Sequence, residues 1–295
     1  MIVVSPWSKG GWVCSEVFDH TSLIRFMEKR FARRDDGLIE KNITAWRRTV
    51  CGDLTSAFDF RRPNADIVEL PGVARYEPQD RERHDDYVPT PPAHQSVPSQ
   101  EKGLRRARAL PYELRAEGSE HSDAFRIDFV NTGKAGVCFQ VRSQIGTEGP
   151  WTYTVEAGKA LHASWDIAKT QGRYDLSVFG PNGFFRQFKG HSSRSSDVDL
   201  DVDVRYDNDD LTLTLRVTNQ SHSACRVRVT SAYDRHSIVE TLQRGRGFEK
   251  RLSLRSSYGW YDFSITSDQD GSFLRRIAGH LENDKDSVSD PALGR

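Results

Sequence analysis

Sulfur is scarce in this chain. Four cysteines and two methionines are spread over 295 residues, and Cys14, Cys51, Cys138 and Cys225 show no metal-ligand spacing. Isolated thiols are most often small buried apolar residues, although a Cys14–Cys51 pairing stays open. An excess charge is also missing, because 42 basic side chains balance 42 acidic ones. That argues against nucleic acid or an anionic membrane surface as partner, since both call for a basic excess. No apolar run approaches the roughly 20 residues of a membrane-spanning helix. No charged leader precedes Ile2-Val3-Val4, so no secretory signal is expected at this start. An apolar strand over Ile2–Ser5 needs neighbours that nothing upstream supplies. Met1 is therefore expected to be an internal start, and the chain the tail of a longer protein.

What the chain has in plenty is self-similarity. Gly172-Arg173-Tyr174-Asp175-Leu176-Ser177-Val178 returns as Gly259-Trp260-Tyr261-Asp262-Phe263-Ser264-Ile265, an offset of 87 (259 − 172). Gly158-Lys159 matches Gly245-Arg246, Asn131 matches Asn219, and Gly190-His191 matches Gly279-His280. A near-constant offset over most of a unit marks two copies of one small domain. Cys138 and Cys225 fall one per copy, so neither copy closes its own disulfide.

Residues 1–60 read as α/β. Leu23, Met27 and Phe31, beside Ile24, lie on one face of a helix over Thr21–Phe31, which Asp19, Thr21 or Ser22 can cap. A second helix follows Thr44, carrying Trp46, Val50 and Leu54, with Gly52 an awkward member. Residues 61–109 hold most of the prolines and charged strings such as 80–86, and read as a linker or wrapping arm. From Leu110 onward apolar residues alternate with polar ones, as in Phe125, Ile127, Phe129 and in Leu213, Leu215, Val217. The fold class expected is mainly β: two immunoglobulin-like or fibronectin-like β-sandwich repeats, over 110–195 and 196–282. They follow a partial α/β unit, and a polar tail over 283–295 is expected to be disordered.

The stretches Ile2–Val13 and Glu16–Phe26, with Trp46-Arg47-Arg48 and Cys51–Phe60, resemble the closing segment of the catalytic domain of bacterial phosphocholine-specific phospholipases C. The repeats, with Leu110–Leu114, Asn131-Thr132-Gly133 and Gly180–Phe184, resemble the paired C-terminal domains of the same family. The resemblance implies a phosphoesterase of alkaline-phosphatase-like fold that cleaves phosphatidylcholine-type phosphodiesters to diacylglycerol and phosphocholine, with a divalent metal and a hydroxyl nucleophile in the full-length enzyme. Those catalytic motifs lie before the start of this chain, so none is carried over. The chain alone is then expected to lack the nucleophile and metal ligands, to need the missing N-terminal catalytic region as partner, and to supply accessory domains. The full-length family is exported; the chain as given would be cytoplasmic. The alternative from another class is a non-enzymatic tandem module that binds lipid, carbohydrate or protein.

Candidate residues remain. Asp19-His20, at a loop-to-helix junction, can donate to a phosphate oxygen, or simply cap and pack. Ser5, Ser8, Lys9, Gly10 and Gly11 form a polar loop where Lys9 can meet phosphate, or a plain turn. Trp7, Trp12, Phe18 and Trp46 can cage a quaternary ammonium by cation–π attraction, or pack a core. Trp151, Tyr153, Trp165, Tyr174, Trp260 and Tyr261 suit core positions better than membrane-dipping tips. Asp197, Asp199, Asp201 and Asp203 match no calcium loop and read as a solvated strand face.

Overall fold

The computed structural model describes residues 1–32, 36–67, 69, 72, 91, 93–97, 102–146, 148–192, 198–235 and 237–293. The charged run 80–86, Asp197 and much of the linker read over 61–109 lie outside the described residues.

The chain is mainly β. A short β1 (Arg106–Ala107) is followed by β2 (Leu114–His121), β3 (Ala124–Asn131), β4 (Val137–Ser143), β5 (Trp151–Val155), β6 (Lys159–Asp166), β7 (Arg173–Phe179) and β8 (Phe185–His191). The set returns as β9 (Leu200–Asp207), β10 (Thr212–Asn219), β11 (Cys225–Ser231), β12 (Ile238–Leu242), β13 (Gly247–Ser253), β14 (Trp260–Ser267) and β15 (Leu274–His280), before a closing β16 (Ser287–Val288). Strands β2-β3-β6 and β9-β10-β13 form a three-stranded sheet each. The other long strands form one eight-stranded sheet in the order β12-β11-β14-β15-β8-β7-β4-β5, which reads as the same unit twice, back to back.

Alternation places the cores. Phe125, Ile127 and Phe129 of β3 meet Phe139, Val141 and Val178 in one apolar cluster. Leu213, Leu215 and Val217 of β10 meet Val227, Val229 and Ile265 in another. Burying each such side chain stabilises the fold by about 1.5–3 kcal/mol. Val202 and Val204 of β9 pack on the second cluster while Asp203 pairs with Arg205 and Arg216, both at 3.6 Å, on the other face. Asp201 and Asp207 of the same strand are exposed, whereas Asp199 just before it is partly buried, and burial raises its carboxyl. Tyr174 and Tyr261 are buried, and Trp151, Tyr153 and Trp165 pack half-buried on the first cluster.

The two halves join at β8 and β15, whose register is self-symmetric. Gln187 faces Arg276, its own equivalent (276 − 187 = 89). The neighbours Arg186 and Arg275 are equivalent as well, and both are buried. Each crosses into the other half. Arg186 donates to the carbonyls of Phe185 and Ala278, both at 2.7 Å, and to the hydroxyls of Tyr206 (2.7 Å) and Tyr261 (3.0 Å). Arg275 donates to the carbonyls of Lys189 (2.9 Å) and Leu274 (3.1 Å) and to the hydroxyl of Tyr174 (2.8 Å). Tyr174 in turn donates to Glu120 at 2.9 Å, and burial pushes its hydroxyl up to about 12, so it stays neutral. The result is a reciprocal exchange of arginines about an approximate two-fold axis.

The repeated landmarks have physical causes. Asn131 and Asn219 are fully buried turn-closers. Asn219 donates to the carbonyls of Ser223 (2.8 Å) and Leu242 (2.9 Å) and accepts from the Ser221 amide (2.9 Å), and Asn131 repeats the pattern with Ala135, Val155 and Gly133. Gly190 and Gly279 lie under the rings of Tyr174 and Tyr261; a Cβ there would come within 2.8 and 2.9 Å of the hydroxyl oxygens.

Ahead of the β units lie α1 (His20–Phe31) and α2 (Ala45–Val50), the second against the first unit, where the Gly136 amide donates to the Thr49 carbonyl at 3.1 Å. Asp19 closes a capping box with Ser22 at the start of α1, and Thr44 caps α2. The second helix stops at Cys51, short of the expected Leu54. The Gly52 amide leaves it to donate to the Val17 carbonyl at 2.8 Å, and a Cβ on Gly52 would strike the Glu16 side chain. The burial of α1 is inverted. Thr21, Ser22 and Glu28 are buried, whereas Leu23, Met27 and Phe31 are more than half exposed. The expected strand over Ile2–Ser5 is not formed, and Ile2 and Val4 project into solvent; no strand among the described residues lies alongside to pair with it.

The tail is another correction to the sequence reading. Through residue 293 it is tied down: β16 pairs antiparallel with β1, Lys134 holds Asp284 at 2.6 Å, and Tyr233 donates to Asp290 at 2.8 Å. Val13 bridges to Ala107 on the other side, so residues 106–108 run between the N-terminal segment and the tail. No helix among the described residues is long and apolar enough to cross a membrane.

Candidate functional site

A cavity of about 720 Å³ opens beside the N-terminal loop, lined among others by Ser5, Lys9, Trp12, Asp19, His20 and Arg108. The loop is shaped locally. The amides of Ser8 and Lys9 donate to the Ser5 carbonyl at 3.1 and 3.0 Å, and Gly10 and Gly11 at φ 116° and 69° turn the chain into Trp12. Lys9, Asp19 and His20, three of the candidates read from the sequence, are brought together here.

Asp19 is committed as an anion. Burial alone would raise its carboxyl, but the hydroxyl and amide of Thr21 and the Arg47 guanidinium outweigh that and hold it at about 2. The unfolded chain releases this proton near its ordinary value of about 3.9. A depressed folded value gives stability that is present above about pH 4 and is lost as the pH falls toward about 2. Asp19→Asn lacks this contribution, so the stability gap between wild type and variant should close over that window. Urea midpoints at successive pH values test it, and a gap that stays constant defeats it.

Behind Asp19 sits a polar cluster that the sequence reading missed. Ser56 donates to the Glu16 carboxyl, and Cys14 lies 3.5 Å from the Ser56 hydroxyl. Burial pushes the Glu16 carboxyl up toward its protonated form and raises the Cys14 thiol, so the sulfur is no ready nucleophile. All four cysteines are free. Arg108 was missed too. Its side chain stacks on Trp12, 4.0 Å from the ring centroid. The only sequence signal was the density of basic residues in Arg105-Arg106-Ala107-Arg108.

The four aromatic candidates do not meet in one cage. Trp12 and Phe18 line the cavity. Trp7 packs on Phe60 at 6.1 Å, and Trp46 donates its indole N–H to Thr154 at 2.9 Å. Among the described residues no three His, Cys, Asp or Glu side chains converge as a metal-ligating group. The donor set here therefore does not fit the divalent metal that the resemblance implies, and no step is derived through it.

Comparison with known proteins follows this division of the chain. The model described as "Bacterial phospholipase C, C-terminal domain" matches residues 106–191 and again 200–280, and the "Phosphoesterase family" model matches residues 1–32. The non-hemolytic phospholipase C of Burkholderia pseudomallei is 47% identical over 99% of this chain and 42% of its own length. The enzyme of the same name from Pseudomonas aeruginosa is 43% identical over 100% of this chain and 43% of its own length. The hemolytic phospholipase C of Pseudomonas aeruginosa is 37% identical over 99% of this chain and 44% of its own length. The chain thus spans less than half the length of these relatives. On the match of the C-terminal model over more than half of its residues, this chain belongs to the bacterial phospholipase C family, and it carries that family's C-terminal domain twice.

Proposed function

We propose that this chain is the C-terminal, accessory portion of a phospholipase C that hydrolyses phosphatidylcholine-type phosphodiesters to diacylglycerol and phosphocholine. The observation that carries this reading is the inverted helix α1. Its apolar face, Leu23, Ile24, Met27 and Phe31, points to solvent, inside the segment that matches the phosphoesterase model. An amphipathic helix ordinarily buries that face against a core, and the rest of an α/β catalytic domain is the core it would cover. On this reading residues 1–60 are the closing segment of that domain. Residues 110–195 and 196–282 are two immunoglobulin-like sandwiches that brace it, and the full-length enzyme is exported.

In-line attack on a phosphodiester needs a nucleophile, charge-neutralising cations and a leaving group in one place. The residues present hold an ion-paired Asp19 and a hydroxyl, Ser56, whose partner is the Glu16 carboxyl, with no histidine or metal ligand set beside it among the described residues. Neither supplies an activated nucleophile. Purified 1–295 is therefore expected to show no turnover of a chromogenic phosphocholine ester with or without added zinc, calcium or magnesium. Metal-dependent release of the chromophore that survives repurification would end this reading.

A further inference from the structure

Three arginines are buried among the described residues: Arg108, Arg186 and Arg275, at 7%, 2% and 9% exposure. Burying a guanidinium is costly unless its N–H groups find acceptors. Two of the three are well served. Arg186 makes four hydrogen bonds of 2.7–3.0 Å, and Arg275 three of 2.8–3.1 Å. Arg108 is not. Its contacts are 3.4 Å to Asp286 Oδ2 and 3.5 Å to the Trp7 carbonyl, both at the long limit, and its Nε meets no acceptor at all.

This under-served cation lines the 720 Å³ cavity together with Lys9. The Lys9 ammonium has no ion pair among the described residues. The carboxyls that share the cavity are already engaged elsewhere. Asp19 is bound to Arg47 and Thr21, and Glu16 accepts from Ser56. What the cavity presents is a planar guanidinium held over Trp12, with an ammonium and the hydroxyl of Ser5 on the same lining. A planar fork next to a point charge suits the oxygens of a tetrahedral anion.

We propose that Arg108 and Lys9 form an oxyanion site for the phosphate group of a phosphate ester. Arg108 belongs to the first C-terminal domain match, which begins at residue 106, whereas Lys9 belongs to the phosphoesterase match. The site is therefore built jointly by the two family segments, and β1 delivers the arginine. The preference for a tetrahedral anion stands on this geometry, and the phosphate ester as its source rests on the proposed function. The site would hold even if the chain shows phospholipase turnover, so the hydrolysis test and the binding test fail independently.

The test is titration of the full chain with inorganic phosphate and with phosphocholine, read by heat and by tryptophan fluorescence, since Trp12 lies under Arg108. Saturable binding is expected. Arg108→Lys, which keeps the charge and loses the fork, and Lys9→Gln should each weaken it about tenfold, the scale of one charge-assisted contact. Lys9→Gln removes no intramolecular contact among the described residues and should melt like the wild type, so it decides the matter if Arg108→Lys folds poorly. Equal affinity for both ligands identifies phosphate alone as the recognised group; tighter binding of phosphocholine identifies an esterified headgroup. Either result supports the site. No saturable binding by the wild type, or affinities unchanged in Lys9→Gln, overturns it.

Discussion

Arg186→Ala should lower the unfolding free energy by about 3–4 kcal/mol, because one truncation strips a buried network on both sides of the central seam. Two phenols and two carbonyls lose their donor, and the vacated space between Phe184, Tyr206 and Tyr261 cannot collapse fully. Tyr261→Phe removes one acceptor from the guanidinium and should cost about 1.5–3 kcal/mol, the range for hydrogen bonds to charged groups. Arg275→Ala should cost less than Arg186→Ala, since Arg275 reaches one tyrosine where Arg186 reaches two. Because each arginine sits in the other half, the two β units should unfold together in the wild type. The Arg186→Ala/Arg275→Ala double variant should show two urea transitions. A double variant that melts in one step at the wild-type midpoint would refute the coupling.

Glu282→Ala should cost about 2–4 kcal/mol, the penalty for orphaning several buried donors at once. Its carboxylate is nearly buried and joins three parts of the chain. Oε1 lies 2.8 Å from His280 Nδ1 in the second unit and accepts from Asn182 Nδ2 of the first at 2.9 Å, while Oε2 accepts from the Leu110 amide at 2.9 Å. Losing the Leu110 contact loosens the arm that holds β1, where Arg105, Arg106 and Arg108 are trypsin sites. Limited proteolysis should therefore cut the variant within 105–108 well before the wild type, while the near-ultraviolet dichroism of the β units persists. Equal cleavage rates would show that β16 and Asp286 hold the arm without Glu282.

The strands that alternate cleanly, such as β3 and β10, were legible because each buries one face and every second residue says so. The central strands β8 and β15 were not. Phe185-Arg186-Gln187-Phe188-Lys189 puts an arginine at an inward position, and a charged side chain there erases the alternation that marks a strand. Their only trace was the closing Gly-His pair, whose glycine makes room for a tyrosine ring. Lys9 and the Asp19-His20 pair were legible as separate candidates, a polar loop and a helix start, and the cavity brings them together. Arg108 was not, since it reaches the cavity from about 100 residues away through β1.

By itself the sequence determined the duplication, the β periodicity, the start of α1 to within a few residues and the family, because these depend on residues close in the chain or on a pattern repeated along it. Only the tertiary structure decided that the two units share one eight-stranded sheet, that they exchange buried arginines, that the polar tail is tied down, and that α1 shows its apolar face to solvent. Those outcomes rest on hydrogen bonds and packing between segments far apart in sequence. Whether a charge is buried or a helix face is covered depends on what lies opposite it, and local pattern carries no record of that.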